Sequence, residues 1–466
     1  MKIYTQHIKR YLKAGKAFGG MVMLFLLLNT SCKKFVEVDS LTDKLLSEQV
    51  YQNDATANAA TAGIYRQLRT SNFMNFLALY SGMISDEVSP GISTAANTSN
   101  YVNNTLSVDD TGMPWNALYS VIYSANSVIE GLTNNKALSD KAQQYYMGEA
   151  KFNRAFCYFY LVNLYGDVPL VLSSDVKTNS LIARSAVNDV YAQIISDLKD
   201  AQNGLGNDYS FTGGDRSRAD KWVATALLAR VYLYQKDWAN ALALSTAVIN
   251  SGQYSLLNAP AGILNKNNTE AIYQLANNST ETNAMATFFI FTSTPNYLCS
   301  DLLLNSFETN DLRKTTWIKT QLVSGTPASI PFKFTTIATN SNEWLTFIRL
   351  GEIYLIRAEA RAMQNDLQGA ISDVNLLRQK HGGLNTALPV PADQASAVDV
   401  ILHERRVDLF TEGCFRWLDL KRTGKIDAVM LQEKPTTWTS TAALFPIPFV
   451  DIQRNPKLVQ NPGYKQ

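Results

Sequence analysis

Two stretches of this chain repeat a spacing that a pair of antiparallel helices explains. In Trp222 to Tyr254 and again in Leu350 to Gly382, a segment rich in Ala and Tyr runs into a short turn carrying Asp237 or Asp366. A second segment follows in which Ala returns at the same offset: Ala229 and Ala241 are twelve positions apart, and so are Ala358 and Ala370. Small residues at that separation let two helices approach closely at one crossing point. Four other windows carry a helical period or a helix-compatible composition: Asp54 to Tyr65, Trp115 to Leu132, Gln143 to Tyr165 with its stop at Gly166 and Pro169, and Ser185 to Leu205. Alternating runs that would announce a large sheet are few. The expected fold is mainly α.

The helix-pair logic is that of tetratricopeptide repeats, with two ordinary helical hairpins as the alternative because the full repeat signature is absent. The two units are not tandem. Between them lie residues 255–345, rich in Asn, Thr and Ser and without a long helix, which read as a large insertion. It divides a single body of residues 32–466 into an N-terminal part, 32–254, and a C-terminal part, 346–466. A second polar excursion, Ser89 to Met113, holds Asn97, Asn100, Tyr101, Asn103 and Asn104. Polar excursions on a rigid helical frame are where binding groups usually sit, so both are candidate ligand loops.

The N-terminus carries its own message. Lys2, Lys9, Arg10, Lys13 and Lys16 precede the apolar run Met21 to Leu28, which ends at Asn29-Thr30-Ser31-Cys32. That order reads as a secretory signal over residues 1–31, and the run is too short to span a bilayer as a helix. Small residues directly before Cys32 mark it as the lipidated cysteine of a bacterial lipoprotein, although Asn29 stands where Leu is usual. Several acyl chains make such an anchor effectively permanent, at about 0.8 kcal/mol per buried CH₂.

Charge and motif content narrow the function. The chain holds 42 Lys and Arg against 40 Asp and Glu, and five of the cations belong to the leader, which has no acid. The body therefore lacks the basic surplus that a phosphate backbone demands, and no nucleic-acid partner is expected. Cys157, Cys299 and Cys414 are far apart with no CxxC spacing, which excludes a disulfide framework or a zinc site and suits core filling. The three histidines, His7, His381 and His403, stand in no HExxH, and GxSxG, P-loop and GxGxxG motifs are absent. Glu352, Glu359, Glu404, Asp408 and Glu412 are interleaved with Arg349, Arg357, Arg405, Arg406 and Arg416, a pattern of structural ion pairs rather than acid–base catalysts. No catalytic residue, metal or cofactor is expected.

Seven segments, in order, then resemble one family. They are Cys32 to Asp39, Gly148 to Leu170, Ala226 to Leu233, Asn310 to Lys314, Arg349 to Ala360, Glu404 to Gly424, and the ending Phe445-Pro-Ile-Pro448 with Asn455-Pro456 and Gln460 to Tyr464. They are similar to SusD/RagB-type outer-membrane lipoproteins of the Bacteroidetes lineage. The resemblance implies four tetratricopeptide-like helix pairs with an irregular ligand-binding region. It also implies a surface-exposed nutrient binder that caps a SusC-like TonB-dependent transporter and delivers oligosaccharides, or peptides in some members. Arg405, Arg406, Asp419 and Gly424 are then scaffold.

Sugar recognition needs flat aromatic faces for the apolar side of the ring, and amides and carboxylates for its hydroxyls. In starch-binding relatives such aromatics follow a motif similar to Ser85-Asp86-Glu87-Val88, but here Ser89-Pro90-Gly91 comes next and no Trp appears before Trp115. The candidates are therefore Tyr101, Tyr297, Trp317 and Trp344, with Asn72, Asp86 and Asn103 as polar partners. Trp115, Trp222, Trp238 and Trp417 fall inside expected helices and are assigned to the core. A peptide binder of the same architecture, or a helical-repeat scaffold for a protein partner, is the alternative function.

Overall fold

The computed structural model describes residues 50–91, 98–110, 114–277, 284–291 and 294–465; the leader and Cys32 lie outside them. Residues 51–466 form one compact unit. Its frame is a continuous stack of nine helices: α1 (Asp54–Arg69), α2 (Trp115–Leu132), α3 (Asp140–Tyr165), α4 (Val187–Gly204), α5 (Lys221–Tyr234), α6 (Trp238–Ile249), α7 (Leu350–Met363), α8 (Leu367–Gly382) and α9 (Gln394–Leu409). Each helix packs against the next in this order. The mainly α architecture and the helix pairs follow the spacing in the sequence.

Local chemistry sets the turns. In the turn between α5 and α6 and in that between α7 and α8, a left-handed residue (Lys236, φ 58°; Asn365, φ 66°) precedes an aspartate that caps the following helix. Asp237 accepts from Asn240 N at 3.2 Å and Asp366 from Gly369 N at 2.8 Å, satisfying backbone donors that a helix start leaves open. The four alanines of the repeated spacing are all buried, and within each unit the two helices pack on each other. The units that are separated in sequence are neighbours in space, because α6 packs directly on α7.

The central helix, α3, is buried on nearly every side. Its Phe156 meets Tyr160, Phe347 and Phe73 edge-on at ring distances of 5.2, 5.0 and 6.2 Å. A fully buried side chain of this kind contributes about 1.5–3 kcal/mol, and edge-to-face pairing adds to it. Cys157 and Cys414 are buried without a disulfide partner, as core fillers. Of the four tryptophans assigned to the core, Trp115 and Trp417 are buried there. Trp222 and Trp238 are corrected: each stands in the first turn of its helix and is only half-buried, with Trp222 Nε1 donating to Asn207 O at 3.1 Å.

The long insertion contains more strand than its composition suggested. Its ends are joined by β2 (Ala271–Leu275) pairing antiparallel with β6 (Leu345–Arg349), which feeds directly into α7. Between them, β4 (Ile318–Val323) and β5 (Thr326–Pro331) form a hairpin across Ser324 and Gly325, both with positive φ as a two-residue turn requires. Strands β1 (Val88–Pro90) and β3 (Tyr297–Cys299) make a further short pair.

Buried charge fastens the insertion to the frame. Arg349 reaches Glu270 at 2.9 Å, Asp408 at 2.6 Å and Glu412 at 2.8 Å. His381 bridges Asp408 (2.8 Å) and Glu270 (2.9 Å). Arg313 of the insertion pairs with Asp311 and Glu404, and Lys333 with Glu412. The acids named from the sequence are thus paired, with Glu352 on Arg230 and Glu359 on Arg422. Burial would lower the His381 imidazolium, but Glu270 and Asp408 overcome it and push His381 up to about 9. Its native pKa is raised, so the stability it contributes is complete below its ordinary value of 6.5 and is lost as pH rises through 9. Denaturant unfolding should therefore lose on the order of 3 kcal/mol from this group across that window. A His381→Gln protein that shows the same pH-dependent loss would contradict the assignment.

Candidate functional site

The segment Ser85 to Val88 is a clamp. Asp86, which closes it on the frame, forms a bidentate pair with Arg416 at 2.9 and 3.0 Å and a further pair with Arg406 at 2.9 Å. Burial would raise the Asp86 carboxyl, but these cations hold it below its usual range. Glu87 accepts from Thr411 N at 3.0 Å, and burial pushes its carboxyl up to about 7. On the other side, Ser300 N donates to Glu87 O at 2.9 Å and Ser300 Oγ donates to Asp86 O. Lys434 adds bonds from its Nζ to Met83 O, Ile84 O and Asn104 Oδ1 at 3.0, 3.1 and 2.6 Å.

This clamp brings the two polar excursions together. Val88 faces Cys299 and Pro90 faces Tyr297 across the β1–β3 pair. The contact continues at Gly91, whose N donates to Asn296 O at 2.7 Å. A Cβ at Gly91 would stand 2.2 Å from Pro295 O, so this approach excludes any larger residue unless the backbone moves.

Four aromatic rings gather at the junction. Tyr80, at the end of the π-helical turn Phe76–Tyr80, stacks on Tyr101 with ring centres 4.2 Å apart. Tyr297 meets Phe288 edge-on at 6.4 Å. Burial raises the Tyr297 phenol, and the neighbouring Tyr80 raises it further. Tyr80, Phe288 and Tyr297 are half-buried, leaving part of each ring open, whereas Tyr101 lies beneath Tyr80 at 2% exposure. Half-open rings on a rigid base suit an apolar face of a ligand.

Several sequence candidates are corrected by burial. Trp317 is 2% exposed, donates from Nε1 to Pro260 O at 2.8 Å, and packs under Lys333 beside His381 and Phe410. Trp344 is buried as well, with Lys266 over its ring. Tyr101 supports Tyr80 rather than facing outward, and Asp86 spends its oxygens on two arginines. Burial removes these four from direct ligand contact. Asn103 is exposed beside the cluster's Tyr101, and the side chain of Asn72 lies outside what is described. Tyr80 and Phe288 were not among the sequence candidates. Tyr80 stands six residues before Asp86, on the side of the motif opposite to the one searched for aromatics.

Comparison with known proteins follows the same outline. Two family models match the chain, one described as "Starch-binding associating with outer membrane" over residues 34–233 and one as "SusD family" over residues 331–464. A SusD-like protein of Formosa agariphila is 26% identical over 529 residues, covering 96% of this chain and 99% of that one. A solved laminarin-binding SusD-like protein has a TM-score of 0.75 at 22% identity, covering 89% of this chain and 100% of its own. Surface glycan-binding protein A from Bacteroides fluxus has a TM-score of 0.74 at 20% identity, covering 88% of this chain and 100% of its own.

Proposed function

This chain belongs to the SusD/RagB family, and from that premise we propose that it binds oligosaccharide nutrients without turning them over. In this reading a lipid on Cys32 holds it on the outer membrane, facing outward, and it hands its ligand to a SusC-like TonB-dependent transporter. The observation that carries the binding function is the group of half-open rings, Tyr80, Phe288 and Tyr297, at the junction of the two polar excursions. Stacking faces of this kind take the C–H side of a sugar ring, and exposed amides such as Asn103 serve its hydroxyls. The likeness to a laminarin-binding relative and to a surface glycan-binding protein supports carbohydrate over peptide. Among the described residues no helix is long and apolar enough to cross a membrane.

Calorimetry of the body from Lys33 onward, against panels of oligosaccharides and peptides, tests the ligand class. A glycan hit should weaken at least about tenfold, or about 1.4 kcal/mol, in Tyr297→Ala and in Tyr80→Ala. Unchanged affinity in both would remove the site, and a hit confined to peptides would overturn the ligand class. Detergent extraction of outer membranes carrying a tagged chain tests the anchor and the partner together. The intact chain should take up a palmitate label and co-purify with a β-barrel transporter, while Cys32→Ser should leave the membrane fraction. A labelled Cys32→Ser chain, or an intact chain recovered without any barrel, would contradict the corresponding part.

A further inference from the structure

Four segments of the chain meet where the two polar excursions join. Residues 70–85 hold the Tyr80 turn, residues 88–108 hold β1 and Tyr101, residues 271–300 hold Phe288 and β3, and residues 326–332 hold β5. The short helix Ala284–Phe289 packs on Asn72–Asn75, on the Phe76–Tyr80 turn and on β3, and β5 packs on the same strand. In these 74 residues the sequence carries one charged side chain, Glu281, where the chain's average of 18% would give about thirteen. Asn, Ser and Thr supply the polar groups instead, and Asn103 and Thr105 are exposed.

The charges that border these segments do not make up the difference. Asp86 and Glu87 are buried in the clamp, and Glu270 and Lys333 are buried in the ion-pair network around Arg349. Arg69 ends α1 and lines a recess with Tyr65, Arg218 and Leu275. Asp109 and Asp301 are exposed, and both are acids. A carboxylate or sulfate arriving at such a surface leaves water without gaining a cation, and the half-open rings turn a negative face toward it. Arg and Lys are the side chains that hold such groups, and neither occurs in the four segments. One acid is too few to hold a calcium ion as a bridge to an acidic glycan, since that ion takes about six to eight oxygens. A neutral sugar makes no such demand, because its hydroxyls pair with amides and hydroxyls while its C–H face covers the rings. Resting on the reading of this junction as the ligand surface, we infer that it selects uncharged oligosaccharides and rejects those bearing uronate or sulfate groups. The discrimination belongs to all four segments together rather than to one residue.

Calorimetry on the soluble body tests this with two sets of probes. The neutral set is cello-, laminari-, malto-, manno- and galacto-oligosaccharides, and the acidic set is oligogalacturonate, oligoalginate and carrageenan oligosaccharides. A neutral probe should bind, and its Kd should change less than about twofold between about 0.05 M and 0.5 M NaCl, as an uncharged ligand requires. The same oligosaccharide oxidised at C6 to the uronate should bind at least about tenfold more weakly, and the methyl ester of that uronate, neutral again, should recover to within about threefold. A uronate that binds as tightly as its parent overturns the inference. So does an acidic probe that binds tighter than every neutral one; if it also weakens in Tyr297→Ala and Tyr80→Ala, the site stands and only its preference for neutral ligands falls. Silence across both sets, or binding that survives both tyrosine variants, overturns the site and the inference with it. Circular dichroism melts matching the parent's confirm that the variants are folded; if one melts early, the other decides.

Discussion

The buried charge cluster around Arg349 is the constraint on which the rest of the structure depends. Its members come from β6, from the insertion, from α8, from α9 and from the turn after α9, and none of them can be solvated where it stands. Taking such charges out of water is costly, and losing one partner of a buried pair costs about 3–5 kcal/mol because its mate is left uncompensated. Register errors in any of the contributing segments are therefore penalised strongly. A purely apolar contact of the same size would tolerate a shift of one residue far better. The cluster thus acts as a lock that admits one arrangement of the insertion on the helical stack.

What the lock positions is a surface some distance along the chain. The same C-terminal region that supplies Asp408 and Glu412 also supplies Arg406, Thr411 and Arg416, and these hold the Ser85–Val88 clamp. The clamp sets β1, β1 pairs with β3, and β3 carries Tyr297. Rings placed by such a sequence of charge-assisted bonds and strand pairing lose little freedom on meeting a ligand, which is how a scaffold lowers the entropic cost of binding.

Much of the frame was legible in the sequence. The twelve-residue alanine spacing, the aspartates of the turns and the Gly166 stop all act locally, through packing of adjacent helices, capping and backbone freedom, so a linear reading recovers them. Ion-pair partners were not legible. The interleaved acids and arginines suggested pairing between neighbours on one helix, whereas Arg230 meets Glu352 from 122 positions away and Arg349 meets Glu412 from 63. The exposure of individual aromatic rings was not legible for a related reason. A tryptophan offers the same flat face whether it fills a core or awaits a ligand, and only tertiary packing separates Trp317, enclosed beneath Lys333, from the half-open Tyr297. Asp86 was expected to face a ligand, whereas two arginines more than three hundred positions downstream take its oxygens, a pairing no linear reading shows.

The two polar excursions meet at the β1–β3 junction, and in the proposed function that junction is the ligand surface. Amide hydrogen exchange of the body, with and without a saturating oligosaccharide, tests it most directly, because protection reports where ligand binding quenches local opening. Protection should concentrate in residues 80–91, 98–104 and 286–299, with the helix pairs α5–α6 and α7–α8 unchanged. Protection confined to those helix pairs, with the junction exchanging as in the free protein, would contradict it.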